Sequence, residues 1–136
     1  MRLRWDSYTF YKGKETILYE DDYNFVIPIY DEKMIDDNIV MIDIRREDEF
    51  KRTGVIRNAH LMTFFDEYGN HDVENWMKEF EKIVTSKEQT FILICAHANR
   101  TRTIGNFLIE QGYKNTAHLF GGMALWQQEL RETINY

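Results

Sequence analysis

Hydrophobic positions along this chain fall into two regimes. Through the first 30 residues the pattern is loose: "YTFYKGKETILY" alternates around a Lys-Gly-Lys centre, which predicts a small β-hairpin. The apolar segment "NFVIPIY" carries the chain's single proline, Pro28, which argues against a central strand there. Residues 1–30 therefore read as a short β-rich N-terminal extension packed on a main domain of residues 31–136, its aromatic side chains serving as satellite core.

From residue 38 the pattern is regular. "NIVMIDI" is a continuous apolar run rich in β-branched residues, the mark of a strand covered on both faces. "REDEFKRTG" predicts a short helix stopped by Gly54, and "NAHLM" a short strand. In "DVENWMKEFEKIV" the residues Val73, Trp76, Met77, Phe80 and Ile83 recur at helical spacing behind Asp72, a good N-cap. "TFILIC" is a second buried strand. "NRTRTIGNFLIEQGY" follows as an amphipathic helix with Ile104, Phe107 and Leu108 on one face and Gly112 at its C-cap. "TAHLF" then predicts a strand, Gly121 and Gly122 a turn, and "MALWQQELRE" a closing helix. Strands that alternate with helices imply an α/β fold with a mostly parallel central sheet and helices on both faces.

Composition narrows the functional classes. The 136-residue chain is 43% hydrophobic and unusually aromatic, with three Trp, eight Tyr and nine Phe, enough for a real core in one main domain. Its net charge of −6 works against polyanions, and the basic start "MRLRW" is too short for a nucleic-acid footprint, so no nucleic-acid partner is expected. No stretch approaches the length of a membrane-spanning helix and the N-terminus has no apolar signal core, so no membrane partner is expected and the cytoplasm is the default compartment. His60, His71, His97 and His118 are scattered and no metal set is expected; no nucleotide-binding glycine motif occurs.

The candidate chemistry is at Cys95, the only cysteine, where "TFIL" runs out and a helix begins. Functional groups in open parallel sheets gather beyond the carboxyl ends of the strands. There, loop N–H groups, the helix dipole and Arg100 would all favour a thiolate. The competing reading is a buried structural thiol. The polar flank "HANRTR" favours the reactive one, because a spacer has no use for it. Cysteine-dependent phosphatases use a Cys-x5-Arg loop wide enough for phosphate; here Arg100 comes one residue earlier and Thr101 stands at the arginine's place, giving a smaller pocket. Asp43, a carboxylate at a strand end, can accept N–H bonds from neighbouring loops, and Arg45 can pair with an acid. Glu49, in the acidic run "REDEF", reads either as a residue near the pocket mouth or, the favoured reading, as an exposed helix acid.

Three stretches, in order, resemble the rhodanese family of sulfurtransferases. "IDIRREDEFKRTGVIRNA" is similar to the family's first signature through Asp43, Arg45, Glu49, Phe50, Gly54 and Ala59; "CAHANRT" to its active-site loop; and "LFGGMALW" to its closing motif through Leu119, Gly121, Gly122 and Trp126. The resemblance spans about residues 38–131. Two departures stand out: "GVIRNA" lacks the usual histidine and second glycine, and Ala98 occupies a loop position that commonly carries glycine.

The resemblance implies a rhodanese-like fold and a two-step sulfur transfer without a cofactor. The Cys95 thiolate takes the outer sulfur of a thiosulfate-like anion, and the N–H groups of Ala96, His97, Ala98, Asn99, Arg100 and Thr101 surround the resulting persulfide. Cyanide, a thiol or a protein acceptor then removes it. His97 and Arg100 are the residues expected to attract an anionic donor, with Asp43 and Arg45 in supporting roles. The chain is expected to be a monomer or homodimer. The alternatives are a rhodanese-like module that binds a partner or senses sulfur status, and a phosphatase or arsenate reductase on a related scaffold, which the loop length disfavours.

Overall fold

A computed structural model describes residues 9–11, 16–20, 26–28, 39–96, 99–119, 121–129 and 131–136. Within them lie seven strands in one sheet: β1 (Thr9–Tyr11), β2 (Thr16–Glu20), β3 (Val26–Pro28), β4 (Val40–Asp43), β5 (His60–Leu61), β6 (Phe91–Ile94) and β7 (Thr116–His118). Their order is β1-β2-β3-β7-β6-β4-β5. Four helices are described: α1 (Glu47–Thr53), α2 (Val73–Ile83), α3 (Asn99–Glu110) and α4 (Gly122–Gln128).

The central strands are parallel. β4 pairs with β6 from Val40↔Phe91 to Asp43↔Ile94, and β6 with β7 from Phe91↔Thr116 to Leu93↔His118. β1 and β2 pair antiparallel on either side of residues 12–15, and β2 pairs antiparallel with β3. Here the proline argument fails. β3 is not an edge: it also runs parallel to β7, registered at Val26↔Ala117. Pro28 holds the last position of the strand, so its missing N–H costs the ladder at its end and not at its middle.

Strand alternation divides the core between the two faces. Ile42, Ile44, Phe91, Leu93 and Cys95 lie on one face, under Trp76 and Phe80 of α2 and Ile104 and Leu108 of α3. Met41, Ile92, Ile94, Ala117 and Leu119 lie on the other, under Met123 and Trp126 of α4. Both faces are covered, which is why β4 and β6 read as unbroken apolar runs. Asp72 caps α2 by accepting from the Asn75 N–H at 3.2 Å, and Gly54 ends α1 at φ 77°, with its N–H on the Phe50 carbonyl at 2.8 Å.

The loop after α1 explains one departure in the first signature. Asn58, standing where the resemblance leads one to expect glycine, is the only described non-glycine residue with positive φ, at 68°. Asparagine is among the few side chains that enter this region readily, so the left-handed turn survives the loss of glycine. Asn58→Gly is expected to hold or raise stability by up to about 1 kcal/mol, and Asn58→Val to lower it by about 1–2 kcal/mol. Urea unfolding checks both, and equal stability of the two variants would contradict the strain argument.

Candidate functional site around Cys95

β6 ends at Ile94, and Cys95 follows it at the carboxyl edge of the sheet, where the Ile44 N–H reaches across to the Ile94 carbonyl at 3.0 Å. Continuing the alternation of Phe91 and Leu93, the Cys95 side chain turns to the α2/α3 face, 1% exposed. It is a free thiol. Of the loop residues expected to act with it, His97 and Ala98 lie outside the described residues, and Asn99 is described only as the first residue of α3.

The backbone of the loop is clamped from below by α4. The Met123 N–H donates to the Cys95 carbonyl at 2.8 Å and the Ala124 N–H to the Ala96 carbonyl at 2.9 Å. The first turn of any helix has N–H groups without intrahelical partners, and here two of them are satisfied by the loop. Because the peptide is trans, holding the Cys95 carbonyl toward α4 directs the Ala96 N–H away from it, to the side that carries the thiol. The close approach requires Gly122: at φ +60°, a Cβ there would sit 2.4 Å from the Cys95 oxygen and 2.7 Å from the Ala96 oxygen.

Arg100 and Glu49 form the polar part of the site. The two terminal nitrogens of Arg100 donate to separate Glu49 oxygens, each at 2.8 Å, a bidentate pair linking the first turns of α3 and α1. Glu49 also accepts the Arg46 N–H at 3.1 Å, closing the start of its own helix. The favoured sequence reading of Glu49 as an exposed acid is therefore wrong, because its side chain is only 5% exposed. Burial opposes its charge, but the Arg100 guanidinium and the Arg46 N–H outweigh burial and hold the carboxyl below its ordinary value. The pKa of Arg100 is raised, first by its hydrogen bonds to Glu49, against burial, and further by its electrostatic interaction with the Cys95 side chain. Arg100 keeps 23% of its side chain exposed, so the pair faces both thiol and solvent.

Thr101 does not face solvent. It is fully buried, with its hydroxyl hydrogen-bonded to His118 Nδ1 at 2.8 Å. His118 belongs to β7 and lies on the α3 side of the sheet, opposite in facing to Ala117. Scattered in sequence, the histidines gave no sign of this pairing; only the register of β7 against β6 places His118 beneath α3.

Asp43 and Arg45 form a buried ion pair. Asp43 accepts the Arg45 backbone N–H at 3.1 Å and its Nη2 at 2.8 Å, while the same guanidinium donates to Thr53 Oγ1 at 2.8 Å and the Gly54 carbonyl at 3.1 Å. By strand alternation with Met41 the pair lies on the α4 face, opposite the Cys95 thiol, and its bonds run to the end of α1. A separate cavity of about 550 Å³, lined by Thr63, Phe64, His71 and Trp76 among others, includes none of the loop residues. Among the described residues, no three His, Cys, Asp or Glu side chains converge as a metal set, and no helix is long and apolar enough to cross a membrane.

Comparison with known proteins gives the family of the chain. The model of the rhodanese-like domain matches residues 29–129, three quarters of the chain and every residue of the site. The chain belongs to the rhodanese-like family. Over 91 residues it is 28% identical to the thiosulfate sulfurtransferase GlpE of Coxiella burnetii, covering 66% of this chain and 73% of that relative. Its fold is similar to that of the polysulfide-sulfur transferase homodimer from Wolinella succinogenes, with a TM-score of 0.58 at 25% identity over 76% of this chain and 72% of the other. A rhodanese-related protein from Thermoplasma volcanium shares the fold at a TM-score of 0.57 and 20% identity, covering 76% of this chain and 90% of that one.

Proposed function

We propose that this rhodanese-like chain is a sulfurtransferase that moves a sulfane sulfur through a Cys95 persulfide. The observation that carries this reading is the free thiol at the carboxyl end of β6, where α4 holds the Cys95 and Ala96 carbonyls and the first turn of α3 supplies the Arg100 guanidinium. The Cys95 thiolate attacks the outer sulfur of a donor such as thiosulfate; the S–S bond of the donor breaks, sulfite leaves with the electron pair, and Cys95 carries the new S–S bond. Loop N–H groups, that of Ala96 first, hold the terminal sulfur. Cyanide, a thiol or a protein acceptor then attacks that sulfur and restores the thiolate. In a reducing cytoplasm, the compartment suited to a chain with one cysteine, Cys95 stays available between turnovers.

One observation favours a second reading, a module that binds a partner or senses sulfur status with little turnover: Cys95 is 1% exposed, which leaves a donor little access to its sulfur. Intact mass separates the two. After exposure to thiosulfate or a polysulfide the wild type is expected to gain one sulfur that cyanide removes, and Cys95→Ser to gain none. A wild type left unmodified by every donor would sink the sulfurtransferase reading.

A further inference from the structure

Glu49 pairs the guanidinium that the loop after Cys95 leads into. Arg100 lies in the first turn of α3, five residues after Cys95, and both of its terminal nitrogens are committed to the Glu49 carboxylate at 2.8 Å. The carboxylate is buried and anchored a second time by the Arg46 N–H, so it cannot swing aside as an exposed acid would. Arg46, at the start of the helix that carries Glu49, is itself drawn to acids, with Nε on Asp48 at 2.9 Å and 3.9 Å from Glu49. A dianion such as thiosulfate binds well where a guanidinium is unpaired. Here it would meet a guanidinium already neutralised by an acid, beside a thiolate that repels it.

We propose that Glu49 is a specificity-determining residue, and that by pairing Arg100 it turns the site against dianionic thiosulfate and toward persulfides, whose reacting sulfur sits on a group without a second negative charge. The proposal rests on the sulfurtransferase reading. The step balances without any further reagent: the Cys95 thiolate attacks the terminal sulfur of R–S–SH, the donor S–S bond breaks, R–S⁻ leaves with the electron pair, and the proton stays on the transferred sulfur as Cys95–S–SH. Nothing is oxidised overall, since one persulfide is exchanged for another. Glu49 touches no reacting atom and acts through Arg100.

The test compares rates of Cys95 sulfur loading, read by intact mass, from thiosulfate and from the persulfide of N-acetylcysteine methyl ester, an uncharged carrier. Each rate is normalised to the reaction of the same donor with free N-acetylcysteine. The wild type is expected to favour the persulfide. Glu49→Gln keeps the shape and removes the charge, and is expected to speed thiosulfate loading by about tenfold while changing persulfide loading less than about threefold. Glu49→Asp keeps the charge and is expected to keep the persulfide preference. A purely structural role for Glu49 would lower both rates together and leave their ratio alone. A normalised wild-type preference for thiosulfate, or an unchanged ratio in Glu49→Gln, overturns the proposal; the wild-type ratio decides the matter even if Glu49→Gln folds poorly. Failure of the sulfurtransferase reading is distinct, because then neither donor leaves a sulfur on Cys95.

Discussion

Replacing Asp43 with alanine is expected to lower the stability of this protein by about 3–5 kcal/mol, the cost of leaving a buried charge without its partner. Asp43 is fully buried and Arg45 is 1% exposed. The aspartate is the only acid bonded to this guanidinium among the described residues: Nε reaches it at 2.9 and 3.1 Å and Nη2 at 2.8 Å. Burial pushes the Asp43 carboxyl above its ordinary value, and Arg45 pulls it back without full compensation. The pair is thus costly to bury and costlier to break. Asp43→Leu combined with Arg45→Met is expected to recover most of the loss, because apolar residues of similar volume avoid the desolvation penalty altogether. Urea unfolding of the single and double variants measures both, and a loss below about 1 kcal/mol in Asp43→Ala would show that solvent reaches the arginine.

The consequence of that pair for the site is indirect. Arg45 ties β4 to Thr53 and Gly54, the last turn of α1, while Glu49 in the same helix holds Arg100. Fixing the last turn of a seven-residue helix constrains the carboxylate in its first turn. The double variant should therefore recover stability more fully than it recovers sulfur loading.

Much of this arrangement is legible along the chain, and the exceptions share a cause. β4 and β6 announce themselves as apolar runs because both faces of the sheet are covered, and α2 by the spacing of Trp76, Met77 and Phe80. Local chemistry places the caps Asp72 and Gly54 correctly for the same reason: each depends on neighbours within a few residues. Glu49 does not. Its partner is 51 positions away, and an acid inside "REDEF" looks solvated until β4 and β6 lie side by side and bring the starts of α1 and α3 together. His118 is hidden in the same manner, since its bond to Thr101 exists only once β7 is registered under α3. Pro28 misleads in the opposite direction: the rule against proline in central strands concerns strand interiors, and a three-residue strand has almost none.

Gly122→Ala is expected to be the most damaging single change to the loop itself. Two effects add at this position. A φ of +60° costs an L side chain about 1–2 kcal/mol wherever it occurs. The new Cβ would also lie 2.4 Å from the Cys95 oxygen and 2.8 Å from the Ala96 carbonyl carbon, and these are backbone atoms that no rotamer change can move. Relief requires α4 and the loop to part, which breaks the bonds from the Met123 and Ala124 N–H groups and leaves two carbonyls to find other donors, at about 1 kcal/mol or more each. A total loss of roughly 3–4 kcal/mol follows. Gly69→Ala isolates the conformational part, because Gly69 has φ +83° with nothing within 4 Å of its would-be Cβ. That variant is expected to lose only about 1–2 kcal/mol and to accept sulfur on Cys95 at the wild-type rate. Gly122→Ala, assayed at a temperature where it remains folded, is expected to load sulfur at least about tenfold more slowly, since the Ala96 N–H loses the orientation that α4 imposes. Unfolding midpoints and persulfide mass for the two variants decide the point. If Gly122→Ala matches Gly69→Ala in both measurements, the clamp by α4 does not govern the loop.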